Sequence, residues 1–261
     1  MLGVERRDLI HRLLLEKGSA KVSELAKLYG IGEETIRRDL AKMAGEGLIE
    51  KIYGGACIPD SMHRVLPVDT RKIMNISAKK KIASICKGSV NEGNTVFLDG
   101  STTAWQIAKA LCDLSDLIVI SNSTEVADIF AKSSDIKFIG VGGTMRKRTK
   151  TFVGHSTVAT IEAYHADIAF ICCDGADRVT GITDANEQEA EIRKAMLRQS
   201  QVHVLAIDGS KFDRTSFSNI GYWDDFHQVI TDVQPNASWL EFFRNRSIRC
   251  LYEGGEASSL N

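Results

Sequence analysis

The amino-acid sequence predicts an α/β fold in two parts: an N-terminal winged helix-turn-helix, then a mostly parallel-sheet α/β domain. Three features predict it. Residues 1–57 hold three apolar stripes at helical spacing and then an alternating stretch that ends beyond Gly54-Gly55. Beyond residue 75, apolar runs of strand length alternate with amphipathic stretches, the pattern of a parallel sheet covered on both faces. Between them, Ile58–Thr70 lacks a sustained apolar period and holds Pro59 and Pro67, which bias their predecessors away from helix. The expected divisions are 1–57, a linker over 58–74, the larger domain over 75–253, and a frayed tail over 254–261.

Composition excludes several classes. With 261 residues, 43% apolar and 26% charged, the chain has ample core material and is not disordered, collagen-like or a coiled-coil rod. No run approaches the ~18 apolar residues of a membrane helix, and the charged start MLGVERRDLIHR has no signal-peptide core. A cytoplasmic address without membrane contact is therefore expected. The six cysteines form no CxxC and the histidines no HxxxH or HExxH, so neither a metal nor a cofactor is expected. Net charge is -1, and residues 1–57 carry ten Lys/Arg against nine Asp/Glu. Any nucleic-acid contact must rest on where the charges sit.

The elements follow in order. Leu9, Ile10, Leu13 and Leu14 make the first helical stripe, closed by Gly18. Ser23 is placed to cap a second helix with Leu25, Ala26 and Leu28 inward, ending at Tyr29-Gly30. A third helix, Glu33 to Glu46, buries Ile36, Leu40 and Met43, and Gly45–Cys57 suits a short hairpin. In the second part the expected strands are Thr95–Leu98, Leu117–Ser121, Ile136–Val141, Ile168–Cys173, Val202–Ile207 and Val229–Thr231. The expected helices are Lys79–Cys86, Thr102–Cys112, Ser123–Lys132, His155–Ala163 and Glu187–Gln199.

The third helix sets Glu34, Thr35, Arg37, Arg38 and Lys42 against its apolar stripe, and the hairpin adds Lys51 and Tyr53. A helix fits the major groove, where arginine offers two donors to guanine and other basic groups neutralise phosphates. Double-stranded DNA is the expected partner. One winged helix reads few base pairs, so a homodimer or homotetramer on repeated half-sites is expected.

Three polar loops fall where strands end: Asp99-Gly100-Ser101-Thr102-Thr103, Asp174-Gly175-Ala176-Asp177, and Asp208-Gly209-Ser210-Lys211-Phe212. Ligands of open parallel sheets bind beyond the strands' carboxyl ends. The first loop offers helix N-terminal amides and hydroxyls to a phosphate, Lys211 a positive charge, and Asp99, Asp174 and Asp177 acceptors for sugar hydroxyls. A phosphorylated sugar or polyol fits that chemistry. Taken singly, each Asp-Gly reads as a turn and Ser101 as a helix cap.

The pieces RRDLIHRLLLEKG, VSELAKLYGI, TIRRDL (Thr35–Leu40) and YGGA (Tyr53–Ala56) resemble the N-terminal domain of DeoR-type bacterial transcriptional regulators. Gly32 stands where members usually carry Ser, a tolerated helix cap. Lys79 to Tyr252 resembles the family's sensor domain, similar in fold to ribose-5-phosphate isomerase. The resemblance implies effector-binding positions at Asp99–Thr103, Asn122, Gly142, Gly143, Glu189 (in Asn186–Met196) and Lys211, to which the strand-end loop itself adds Asp174 and Gly175. It implies a repressor of a sugar or polyol operon, released by a phosphorylated intermediate. From the residues alone Asn122 either caps a helix or binds ligand, and Gly142-Gly143 turns the chain.

The same likeness raises an isomerase with an added DNA-binding domain, with Glu191 resembling its base. Such chemistry needs a cation to stabilise an enediolate, and Arg178–Ala190 contains no lysine but holds Glu187 and Glu189. No catalysis is expected. Arg146-Lys147-Arg148 with Lys150 reads as a solvated loop, Lys79-Lys80-Lys81 as an exposed helix start, and Cys172-Cys173 as core packing.

Overall fold

The computed structural model describes residues 2–17, 19–57, 67–132 and 135–257. The chain divides into two compact units, Met1–Ile76 and Ser77–Asn261.

In the first unit, helices α1 (Gly3–Lys17), α2 (Val22–Tyr29) and α3 (Glu33–Gly45) converge on Ile10, Leu14, Leu25, Ile36, Leu40 and Met43. Gly30 takes φ 64, the left-handed backbone that turns α2 sharply into α3. Strands β1 (Ser19–Lys21), β2 (Glu50–Ile52) and β3 (Gly55–Cys57) form an antiparallel sheet in the order β1-β3-β2. β1 went unforeseen because three residues with a single buried side chain show no period.

Several expectations need correction here. Leu9 and Leu28 point outward, 41% and 58% exposed, and Val22 takes the inward place on α2. Ser23 does not cap α2; Lys21 is its N-cap, and Glu24 Oε2 accepts the Lys21 amide at 3.3 Å. Gly18 lies outside the described residues. The expected linker is partly helical: α4 (Val68–Ile73) starts after Pro67, whose fixed φ suits a helix entrance, and Met74 joins the first core. Pro59 lies outside the described residues.

The second unit is built on an eight-stranded sheet. Its strands are β4 (Thr95–Leu98), β5 (Leu117–Ser121), β6 (Ile136–Gly140), β9 (Ala166–Ile171), β12 (Ser200–Ala206), β14 (Gln228–Ile230), β15 (Arg249–Tyr252) and β16 (Gly255–Ala257). The order is β16-β15-β14-β12-β9-β4-β5-β6, parallel except for the edge pair β15–β16. Side chains alternate between two cores. Val96, Leu98, Ile168 and Phe170 face α5 (Ile76–Lys87), α6 (Thr102–Leu111) and α7 (Thr124–Phe130). Phe97, Ala169 and Ile171 face α8 (His155–Glu162), α9 (Glu187–Arg198) and α10 (Ala237–Asn245). Burial on both faces is why these strands read as continuous apolar runs.

Smaller pieces decorate the sheet. β7 (Thr144–Arg146) and β8 (Thr151–Val153) form a hairpin, and β10 (Gly175–Asp177), β11 (Gly181–Asp184) and β13 (Ser218–Gly221) form an antiparallel sheet. The expected frayed tail is strand as far as Ala257; residues 258–261 lie outside the described residues. The expected solvated loop at 146–150 belongs to the β7–β8 hairpin, with Lys150 Nζ 2.6 Å from Glu125. Lys79 is buried, not exposed, and its charge helps hold the Asp208 carboxyl low.

Candidate functional site

On α3 the residues Glu34, Arg37, Arg38 and Lys42 are exposed and Thr35 is half-buried, opposite the Ile36, Leu40 and Met43 stripe. Gly32 caps the helix without a side-chain bond. Arg37 Nη2 lies 2.8 Å from Glu33 Oε2, both about half exposed. Such an i,i+4 pair contributes about 0.3–0.5 kcal/mol and yields easily to a phosphate or base. Lys51 is exposed on β2, and Tyr53 is fully exposed at the hairpin tip, so helix and wing present basic and aromatic groups together. Sequence reasoning missed Asp39, which lies among the core residues of α3 and is engaged by Arg6 and Arg7 of α1. The available signal was a carboxylate in helical phase with Ile36 and Leu40.

The second candidate site lies at the carboxyl edge of the large sheet. From β4 the chain continues to β5 and β6 on one side, while β9, β12, β14 and β15 extend the other, so the order reverses between β4 and β9. A crevice opens at such a switch point. The loops leaving β4, β5, β9 and β12 meet there.

Asp99 ends β4 and is 1% exposed. Its Oδ2 accepts from the Cys172 amide at 2.9 Å and Arg193 Nε at 2.7 Å, and its Oδ1 from the Ser101 amide at 2.9 Å. Burial alone would raise this carboxyl; the Arg193 guanidinium and these bonds instead hold it below the usual range. The expectation that Asp99 offers acceptors to a sugar is therefore corrected: it ties β4 to β9 and α9. Arg193 also donates through Nη1 to Asp184 Oδ2, 2.5 Å away. Burial lifts Asp184 above the usual carboxylate range despite Arg193. Neither Arg193 nor Asp184 was foreseen, because Asp99, which joins them through Arg193, lies 94 residues from that arginine along the chain.

Ser101 caps α6, its Oγ accepting from the Ala104 amide at 2.9 Å. Among the described residues, no acceptor lies on the amides of Thr102 and Thr103 in the same first turn. These aim unspent donors, backed by the positive end of the helix dipole, beyond β4. Gly100 is required by close approach, since a Cβ there would run into Thr151 Cγ2.

Asn122, fully buried after β5, donates from Nδ2 to the Phe152 carbonyl at 2.7 Å, while its Oδ1 has no partner. It is not a helix cap; Ser123 caps α7. Gly142 and Gly143 lead from β6 into the hairpin, and the Gly142 carbonyl accepts from Thr157 Oγ1 at 2.9 Å. Glu189, 6% exposed, accepts through Oε1 from Thr151 Oγ1 at 2.6 Å and Arg146 Nη1 at 3.2 Å, which docks the β7–β8 hairpin on α9.

Beyond β9, Asp174 accepts from the Ala185 amide at 3.1 Å and lies 3.7 Å from Lys211 Nζ. Gly175 packs beneath the Arg214 carbonyl, where a Cβ would stand 2.6 Å from that oxygen. Asp177 does not face the crevice chemistry; its Oδ1 accepts from the Val179 and Thr180 amides and closes a turn. Burial would lower Lys211, but Asp174 and Asp208 together raise it. Its charge is thus already balanced, which corrects the picture of a free phosphate-seeking lysine. Cys172 and Cys173 are core residues whose thiols burial pushes up. Glu191 is exposed on α9 and pairs with Lys194 at 2.8 Å.

Residues 6–62 match the DeoR-like helix-turn-helix domain, and residues 74–233 match the DeoR C terminal sensor domain. An uncharacterized HTH-type transcriptional regulator of Bacillus subtilis, YulB, is 35% identical over 95% of this chain and 96% of its own. The glycerol-3-phosphate regulon repressor of Escherichia coli K12 is 28% identical over 95% of this chain and 98% of its own. The ribose 5-phosphate isomerase A of Methanocaldococcus jannaschii overlaps 51% of this chain and 53% of its own at 18% identity, with a TM-score of 0.38. Full-length relatives are named as regulators, and this chain is a regulator, not an enzyme. The chain belongs to the DeoR family of DNA-binding transcriptional regulators.

Proposed function

We propose that the chain represses a sugar or polyol operon and releases its operator when a phosphorylated sugar or polyol occupies the crevice between β4 and β9. The observation that carries the reading is the pair of open amides of Thr102 and Thr103 at the head of α6. They lie at the sheet's switch point, where a phosphate finds donors and a favourable dipole. Glu189, Asp174 and Asn122 border the same loops with carboxylate and amide oxygens, which suit the hydroxyls of such a ligand. The name of the glycerol-3-phosphate regulon repressor supports the ligand class. In this reading Glu34, Thr35, Arg37, Arg38, Lys42, Lys51 and Tyr53 face operator DNA, and two or four copies read repeated half-sites.

Thermal shift of the full chain against a panel of phosphorylated and unphosphorylated sugars and polyols tests it. A bound ligand stabilises by RT ln(1 + [L]/Kd), about 2.7 kcal/mol at a hundredfold excess over Kd. One phosphorylated compound is expected to raise Tm where its unphosphorylated parent and inorganic phosphate do not. A response to parents and phosphorylated compounds alike would refute the phosphate site.

A further inference from the structure

We propose that Asp39 is a positioning residue for DNA reading: held by Arg6 and Arg7 of α1, its carboxylate sets the rotation of α3 about its own axis. Asp39 is 6% exposed and Arg6 9% exposed. Arg6 Nε lies 2.6 Å from Asp39 Oδ2, and Arg7 Nη1 lies 3.5 Å from Oδ1, so each carboxylate oxygen meets a different arginine. A buried carboxylate among apolar neighbours costs several kcal/mol unless it is paired, and a hydrophobic replacement of the whole pair is often as stable or more so. Stability alone gives such a pair little reason to exist.

Direction supplies a reason. Ile36, Leu40 and Met43 hold α3 against the core by contacts that tolerate a small axial rotation, since dispersion has no preferred angle. The Arg6–Asp39 bond tolerates much less, because guanidinium and carboxylate meet along fixed hydrogen-bond directions. On the opposite face Glu34, Arg38 and Lys42 follow one another at intervals of four residues. A rotation of α3 swings that whole row across the groove and mismatches arginine donors with base acceptors. Positioning therefore acts on selectivity, whereas the helix's net charge, which governs attraction to any duplex, is untouched.

The test compares the full chain with Asp39→Asn and with the charge-neutral pair Arg6→Met/Asp39→Leu. Two duplexes serve as probes, one selected by the wild-type chain from a random-sequence pool and one scrambled. Melting temperature and affinity for both duplexes are measured well below each variant's melting. The pair variant leaves Arg7 without its carboxylate, so it is expected to melt somewhat below the wild type while remaining folded. It should bind the selected duplex at least about tenfold more weakly, with a change under about threefold on the scrambled one. Should the pair variant fail to fold, Asp39→Asn, which keeps the shape, decides by the same selected-to-scrambled ratio. A wild-type ratio in a folded variant overturns the proposal and leaves the pair a purely structural contact.

Discussion

At the scale of single residues, the two arginines of TIRRDL are not equivalent. Arg37 is engaged by Glu33, whereas Arg38 has no ion pair among the described residues. Arg38→Ala is expected to weaken binding to a selected duplex by about 1–3 kcal/mol, roughly 5- to 150-fold, if its guanidinium reads a base. Glu33→Gln should strengthen it slightly by freeing Arg37 and removing a charge that repels phosphate. Fluorescence anisotropy at fixed salt checks both. In the larger unit, Asp99→Asn strands Arg193 with only Asp184 and should cost about 3–5 kcal/mol, read by urea unfolding. Asp99 and Asp208 are both held below the usual carboxylate range, Asp99 chiefly by Arg193 and Asp208 chiefly by Lys211, in each case against burial. Their stabilising contribution is complete above the unfolded carboxylate pKa and lost as pH falls through the folded values. Acid should therefore unfold this unit below about pH 4, and Asp99→Asn should flatten that acid limb.

At the scale of elements, the turn from β4 into α6 is the most constrained piece of the candidate site. Ser101→Ala removes the α6 cap and should cost about 1 kcal/mol. Gly100→Ala must push Thr151, and with it the β7–β8 hairpin, and should cost about 1–3 kcal/mol. Melting of each variant checks the order, with Ser101→Ala the milder. Such constraints divide what the sequence reveals from what it hides. The six foreseen strands lie where two apolar faces force an unbroken run, as in Thr95–Leu98 and Ala166–Ile171. β7, β10 and β13 are three or four residues long, too short to show a period; β7 and β10 pair with the next strand in hairpins, and β13 pairs with the distant β11. Leu9 and Leu28 were placed inward because apolarity was equated with burial, yet exposed leucines are ordinary on surfaces.

For the whole molecule, order and composition suffice to identify a helix-turn-helix followed by a covered parallel sheet. The strand-end loops were legible as a set but not in their wiring. Asp99, Asp177 and Lys211 looked like ligand groups because their residue types suit a sugar phosphate. Arg193 for Asp99 and Asp174 for Lys211 become neighbours only through the fold, whereas the 179–180 amides lie two and three residues beyond Asp177 and Asp208 three before Lys211, within local turns. A ligand at the sheet edge can alter operator affinity only by preferring one state of the protein over another, and a tenfold change requires about 1.4 kcal/mol of preference. The most direct test is therefore anisotropy of a selected duplex, titrated with the full chain at saturating phosphorylated sugars and polyols. The account predicts that at least one such compound weakens binding tenfold or more, and that Gly100→Ala, which disturbs the loop bearing the Thr102 and Thr103 amides, blunts the response while duplex affinity without ligand is kept. An affinity unmoved across the panel, or a full response in that variant, would contradict it.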